Sequence, residues 1–250
     1  MTMDASAVHL FVRQALRKSV QLAARWLEPV GKTRGEEAET IPASFEDAFA
    51  VDSTGDYQIN GSVAWRDASM VLESAASILR RVRSDASFVC EFEFQPDADQ
   101  PDDGVTHVRF VCAGGRQIVL AIPRRKIAGG WVQQVELAES RNVDGKTNPN
   151  ILFLRRLPAT QSLTRKERWK LKYEFGLIEI FRNEASVGTA FCGCLGAWCH
   201  AVAVVQVKNR ISLQSIRFSG TEPKETPEQS TAYAEIKTLM AQSAISESLG

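Results

Sequence analysis

The sequence predicts a mainly β protein: an antiparallel two-sheet β-sandwich, with an amphipathic helix ahead of it and a short helix behind. Three observations predict it. Trp169, Leu171, Tyr173 and Phe175 alternate with Lys170, Lys172 and Glu174, and after Gly176 a second apolar run follows. Period two on both sides of a glycine is a β-hairpin with one dry face and one wet face. Phe88, Cys90, Phe92 and Phe94 alternate with Val89, Glu91, Glu93 and Gln95, and Thr106, Val108, Phe110 and Cys112 alternate with His107, Arg109 and Val111. At both ends of the chain the period changes to that of a helix.

From Val8 to Val30 the apolar residues Val8, Phe11, Val12, Ala15, Leu16, Val20, Ala23 and Leu27 recur at helical spacing, with Arg13, Gln14, Arg17, Lys18, Gln21 and Arg25 opposite. This is an amphipathic basic helix within residues 1–31, stopped by Pro29 and Gly31. Three roles fit it: packing on the sandwich or on a partner, lying on an anionic membrane surface, or acting as an organelle transit segment. Residues 32–44 are charged and carry Gly and Pro, which makes them a linker. The sandwich follows over residues 45–220. Residues 221–250 begin with a polar linker and end in a short helix, where Tyr233, Ile236, Leu239 and Met240 form one stripe. A β-domain with a helix at each end looks like a module of a larger assembly.

Within the sandwich, Phe45 to Phe49, Tyr57 to Ile59, Trp65 to Asp67 and Met70 to Leu72 come first. The strands at Phe88 and Thr106, separated by an acidic loop, join the strand of Ile118, Leu120 and Ile122 in a three-stranded meander. Its polar face carries Glu91, Glu93, His107 and Arg109, placed to pair across strands. Pro123 ends the third strand, because proline cannot donate to a ladder. Trp131 to Leu137 is the next strand, Arg141 to Asn150 is loop, and Arg155 to Arg168 is loop or a short helical turn. The Trp169 hairpin, Ala201 to Val207 and Ile211 to Phe218 complete the set.

The 250 residues suffice for one large all-β domain or two small ones, with a core that needs no covalent staples. Lys plus Arg and Asp plus Glu both number 30, so the net charge is zero. A neutral chain has no long-range attraction for nucleic acid. No apolar run approaches the ~20 residues that span a bilayer, so no transmembrane segment is expected. Five cysteines are an odd count in a chain of this size, and arginines interrupt the apolar residues near the N-terminus. Both features predict a reducing, cytoplasmic location without a secretory signal.

The order of elements resembles a known family. Phe45-Glu46-Asp47-Ala48-Phe49, then Trp65 before an Asp67 turn, then the Trp169–Asn183 hairpin and the closing strand Ile211 to Phe218 are similar to concanavalin A-like lectin/glucanase jelly-roll domains. The LamG-like and 3-keto-disaccharide hydrolase-type domains are the nearest in pattern. The likeness runs from about Ser44 to Gly220. It departs at Asp67-Ala68 and Asn183-Glu184, where the family places glycine at the turn. The resemblance implies a jelly roll and a non-catalytic binding module whose ligand is a glycan or a protein. The alternatives are a glycoside-active enzyme and a structural adaptor docked through its helical ends.

Several groups of residues carry chemistry in principle. Glu91 and Glu93 share one strand face, as the carboxylates of the resembling glucanases do, but no third carboxylate follows. The plainer reading is a solvated face paired with Arg109. His107 and Arg109, with Trp131 and Trp198, are the candidate ligand-binding residues. Trp131 and Trp198 are the tryptophans least like core residues, and aromatics can stack on sugar faces. Trp65 and Trp169 sit on alternating strands and are expected in the core. Cys192, Cys194, Cys199 and His200 are candidate metal ligands, although Cys-x-Cys-x4-Cys-His is not a recurrent zinc spacing. The plainer reading is small buried residues around a glycine-rich turn. Asp97, Asp99, Asp102 and Asp103 crowd one loop, where hard oxygens suit calcium, but a solvated loop is simpler. No cofactor is expected.

Overall fold

The computed structural model describes residues 41–97, 103–112, 116–127, 130–143, 146–157, 166–192 and 199–222. They form two stacked antiparallel sheets. The first holds β1 (Ser44–Asp47), β3 (Val63–Arg66), β4 (Ser69–Leu72), β6 (Ser87–Pro96), β11 (Glu167–Glu174), β12 (Leu177–Arg182), β13 (Ala185–Phe191) and β15 (Ile211–Gly220). Its order is β13-β12-β11-β6-β15-β4-β3, with β1 also on β15. The second holds β2 (Gln58–Asn60), β5 (Ala76–Ser84), β7 (Gly104–Cys112), β8 (Arg116–Ile127), β9 (Gly130–Val143), β10 (Lys146–Arg156) and β14 (Cys199–Lys208), in the order β10-β9-β8-β7-β14-β5-β2.

The hairpin turns follow from local chemistry. Asp67-Ala68, Phe175-Gly176 and Asn183-Glu184 each place two consecutive residues at positive φ between directly paired strand ends. That is the two-residue turn whose twist matches the flanking strands. Asp67 and Asn183 accept the left-handed region readily. Ala68 and Glu184 occupy it where glycine would be unstrained, so the turn survives both departures from the family pattern.

The core lies between the layers. Phe88, Cys90, Phe92 and Phe94 on β6 meet Val108, Phe110 and Cys112 on β7 and Ile118, Leu120 and Ile122 on β8. Trp169, Leu171 and Tyr173 on β11 complete the same cluster. One open edge is closed by β10 against β13. There Phe153 packs where Gly188 has no side chain, and Arg155 Nη1 donates to the Val187 carbonyl.

The structure corrects several expectations. The strands at Phe88 and Thr106 are not neighbours: β6 lies in the first sheet and β7 in the second. The Pro96–Gly104 connection therefore passes from one layer to the other, and the polar residues of the two strands do not share a face. Alternation shows which residues lie on one side of a strand but not which strand pairs with it. Residues 141–143 and 146–150 are strand rather than loop, because β9 and β10 form one long hairpin. Pro123 does not end its strand. β8 continues to Ile127, and no β9 partner is paired with Ile122 or Pro123, as a missing donor requires. Trp65 is 36% exposed on edge strand β3, with Nε1 donating to the Phe49 carbonyl at 2.7 Å, whereas Trp169 is in the core as expected. Among the described residues there is no α-helix, and none long and apolar enough to cross a membrane. Both predicted helices lie outside the described residues.

Candidate ligand-binding face

The strand registers of the second sheet bring scattered polar residues together on its outer side, the side away from the core. His107 and Arg109 are two apart on β7 and therefore project to the same face. Beside His107 stand Val205 on β14 and Ala121 on β8, and beyond Ala121 stands Glu136 on β9. Beside Arg109 stand Ala203 and Val119, and beyond Val119 stands Ala138. One row further, Gln117 faces Val111 on one strand and Ser140 on the other, with Ala201 across Val111. The result is a floor of four alanines and three valines among which His107, Arg109, Gln117 and Glu136 stand.

This face is out of water at its centre. His107 and Arg109 are 0% exposed, and Gln117, Glu136 and Ser140 are buried. Every residue of β7 is buried, so the strand is dry on both sides. Burial holds the His107 imidazole well below its usual pKa of 6.5, with the charge of Arg109 as the second cause. Burial alone brings the Arg109 guanidinium down to about 9. At neutral pH the face thus carries a neutral imidazole next to a cation.

A pH effect on stability follows. In the unfolded chain an ordinary imidazole takes up a proton as pH falls through about 6.5, while the folded His107 stays neutral. The unfolded state then binds more protons, so stability is lost below that pH, by up to about 1.4 kcal/mol per pH unit from this group. Urea unfolding between pH 7 and pH 5 is expected to show this loss, and His107→Gln is expected to flatten it.

The other candidate residues lie elsewhere. Glu91 and Glu93 are on the outer face of the first sheet. Glu91 Oε1 meets Lys170 Nζ at 3.3 Å, and Glu93 meets Lys166 at 3.6 Å and Arg168 at 3.5 Å. Lys170 and Arg168 are the cross-strand neighbours of Glu91 and Glu93 on β11, and Lys166 lies just ahead of that strand; Arg109 is not among the partners. Trp131 belongs to β9, and its side chain lies outside the described residues, as does the whole of Trp198. Cys192 and Cys199 are buried in the core, whereas His200, the next residue along, is exposed. Cys199 and His200 thus point opposite ways and do not share a ligand sphere, and Cys194 lies outside the described residues. Of the loop aspartates, Asp97 pairs with Arg210, with Nε donating at 2.6 Å, and Asp103 pairs with Arg125 at 3.3 Å. Asp99 and Asp102 are outside the described residues. Among the described residues no three His, Cys, Asp or Glu side chains are grouped to hold a metal ion.

Sequence reasoning missed Gln117, Glu136 and Ser140. Glu136 alternates with Val135 and Leu137, which marked it as facing away from the core. Its nearness to His107 depends on a register that no local pattern encodes.

No family model matches the sequence, and no curated protein matches it. Solved structures do. A Bacillus subtilis protein of unknown function with a galectin-like fold matches at TM-score 0.53 and 14% identity, covering 72% of this chain and 96% of that one. A Bacillus licheniformis β-glucanase matches at TM-score 0.52 and 10% identity, covering 72% of this chain and 99% of the enzyme. The CBM2 module of the evolved Dit protein of Lactobacillus casei BL23 phage J-1 matches at TM-score 0.50 and 10% identity, covering 71% and 96%. At these identities the likeness is one of architecture. With two antiparallel layers, this order of strands and these neighbours, the chain has the concanavalin A-like sandwich fold.

Proposed function

We propose that this chain is a non-catalytic glycan-binding module whose ligand face is the outer side of the seven-stranded sheet around His107 and Arg109. The observation that carries this reading is the grouping of His107, Arg109, Gln117, Glu136 and Ser140 on a floor of alanines and valines. Sugar hydroxyls both donate and accept. Arg109 carries donors, Glu136 acceptors, and Gln117 and the neutral His107 both kinds; His107, Arg109 and Glu136 already have partners, which an entering sugar would replace. The alanines let a flat ring approach the sheet closely. The fold supports the reading only as a scaffold on which a phage carbohydrate-binding module is also built. Because the face is buried, ligand entry requires it to open, and association is expected to be slower than at an open groove.

The enzyme reading has less behind it. Glu91 and Glu93 sit on a partly exposed, ion-paired strand face. Retaining hydrolysis uses two carboxyl groups in distinct environments about 5 Å apart, while same-face strand residues are about 7 Å apart at Cα.

A glycan array probed with the full chain tests the proposal. Arg109→Met is expected to weaken binding of any positive glycan by about 10- to 100-fold, the worth of a charged hydrogen bond. Glu91→Gln and Glu93→Gln are expected to bind as the wild type does. An empty array, or unchanged binding by R109M, would reject the reading. Hydrolysis of a polysaccharide panel by wild type and not by E93Q would establish the enzyme instead.

A further inference from the structure

The described cysteines are not scattered. Cys112 ends β7 and Cys199 begins β14, and the ladder sets them directly opposite each other. The geometry depends on an irregularity. Between Cys199 and Ala201 the register shifts against β7, and it shifts against β5 at the same place. Further along β14, Val202 and Val204 face the core. Strict alternation would therefore turn Cys199 outward and His200 inward. The bulge reverses this: Cys199 joins Cys112 and Cys192 in the core, and His200 faces out. The Cys112 thiol donates to the Phe110 carbonyl at 3.8 Å and the Cys199 thiol to the Ala201 carbonyl at 3.5 Å, and the two side chains are near enough to interact. All four described cysteines, Cys90 included, are thiols in this structure.

Residues directly opposite on an antiparallel ladder are about 4.5 or 5.5 Å apart at Cα. A disulfide needs roughly 4.4–6.8 Å. We propose that Cys112 and Cys199 are disulfide partners, and that folding under oxidising conditions staples the adjacent strands β7 and β14 through them.

The chemistry balances with glutathione disulfide as oxidant. The thiolate of one cysteine attacks a glutathione sulfur, forms a mixed disulfide and expels one glutathione thiolate. The second cysteine, once deprotonated, attacks the protein sulfur of that bond and expels the other glutathione. Two cysteine sulfurs are oxidised, two glutathione sulfurs are reduced, and the two thiol protons end on glutathione. In the folded chain the Cys112 thiol is held well above its usual pKa, first by the adjacent Cys199 thiol and then by burial. The folded pair is therefore a slow nucleophile, and closure is expected during folding rather than as a rapid response of the native protein.

The staple would close a loop of roughly ninety residues, which in the chain-entropy picture is among the more stabilising lengths. It would sit on the inner side of the two strands whose outer side carries His107, Arg109 and Ala203. The inference does not depend on what that outer face binds.

The test is refolding of the reduced, unfolded full chain with glutathione disulfide, against a control in reduced glutathione. Free thiols are then alkylated and the chain is peptide-mapped by mass spectrometry. Two of the five thiols should be lost, with a single cross-linked peptide pair containing Cys112 and Cys199. The oxidised chain should melt about 10 °C above the reduced one. Cys112→Ser and Cys199→Ser should abolish both effects, and Cys90→Ser should leave both in place. The wild-type map decides the matter even where a variant fails to fold. Five alkylated thiols after oxidative refolding, or a cross-link joining any other pair, would overturn the proposal.

Discussion

Phe88→Ala is expected to lower the free energy of unfolding by about 3–5 kcal/mol, the range for deleting a large ring from a closed core. Urea denaturation followed by tryptophan fluorescence measures it. Phe88 sits on β6 in the first sheet, and its ring lies 5.1 Å from that of Phe110 in the second. It also stands 5.0 Å from Tyr173, directly opposite on β11, and 5.1 Å from Phe218, diagonally across on β15 of the same sheet. One side chain thus joins three strands of one layer to the other layer. Removing it leaves a cavity that rigid strands cannot collapse. The ring contacts add roughly 0.5–1.5 kcal/mol each beyond burial. A loss under about 1 kcal/mol would mean that the layers are held together elsewhere.

Glu167→Ala is expected to cost about 3–5 kcal/mol for a different reason. The buried carboxylate accepts from Gln133 Nε2 at 2.7 Å and from Trp169 Nε1 at 3.0 Å through one oxygen. Its other oxygen accepts from Arg182 Nη2 at 2.9 Å. Gln133 lies on β9 and Glu167 on β11, so the cluster ties one sheet to the other at the opposite end of the core from Cys112. Without the carboxylate, Arg182 remains a largely buried cation with no counter-charge, and the indole N–H loses its acceptor. The double replacement Glu167→Leu with Arg182→Met removes both charges and is expected to recover much of the loss, since an apolar pair can match a buried ion pair. Unfolding of the single and double variants in one cycle measures the coupling. Additive losses would show that Glu167 and Arg182 do not act as a pair.

Neither network was visible as a network in the sequence, although parts of each were. Phe88, Phe110, Tyr173 and Phe218 all stood at apolar positions of alternating runs, so their membership in a core followed from period two. That they meet each other did not. Glu167 fell in a stretch read as loop or helical turn, because its charge hid the first inward position of β11. Buried carboxylates are rare enough that pattern reading assigns them to solvent by default.

The candidate face shows the same division. His107 and Arg109 were picked out as projecting together from one strand, and they do. Alternation predicts a wet setting shared with Glu91 and Glu93, but the two pairs are in different sheets and β7 is dry on both sides. The metal reading groups Cys199 with His200, but consecutive strand residues point to opposite faces whichever of them is inward. What the bulge decides is that Cys199 is the inward one, opposite Cys112, a residue from a different part of the chain.

By itself, then, the sequence determined the β class, the two-sheet character, the hairpin that turns at Gly176 and the inward side of most strands, but not that Phe175 leaves the apolar face for the exposed turn. Those properties are local: a strand's side chains alternate whatever lies beside it, and a turn is specified by the residues in it. Only the tertiary structure decided which layer each strand entered, which outer face was removed from water, and which distant residues became neighbours. These depend on pairing between segments far apart in the chain. There the decisive quantity is the joint burial of two surfaces, and neither surface carries the address of the other.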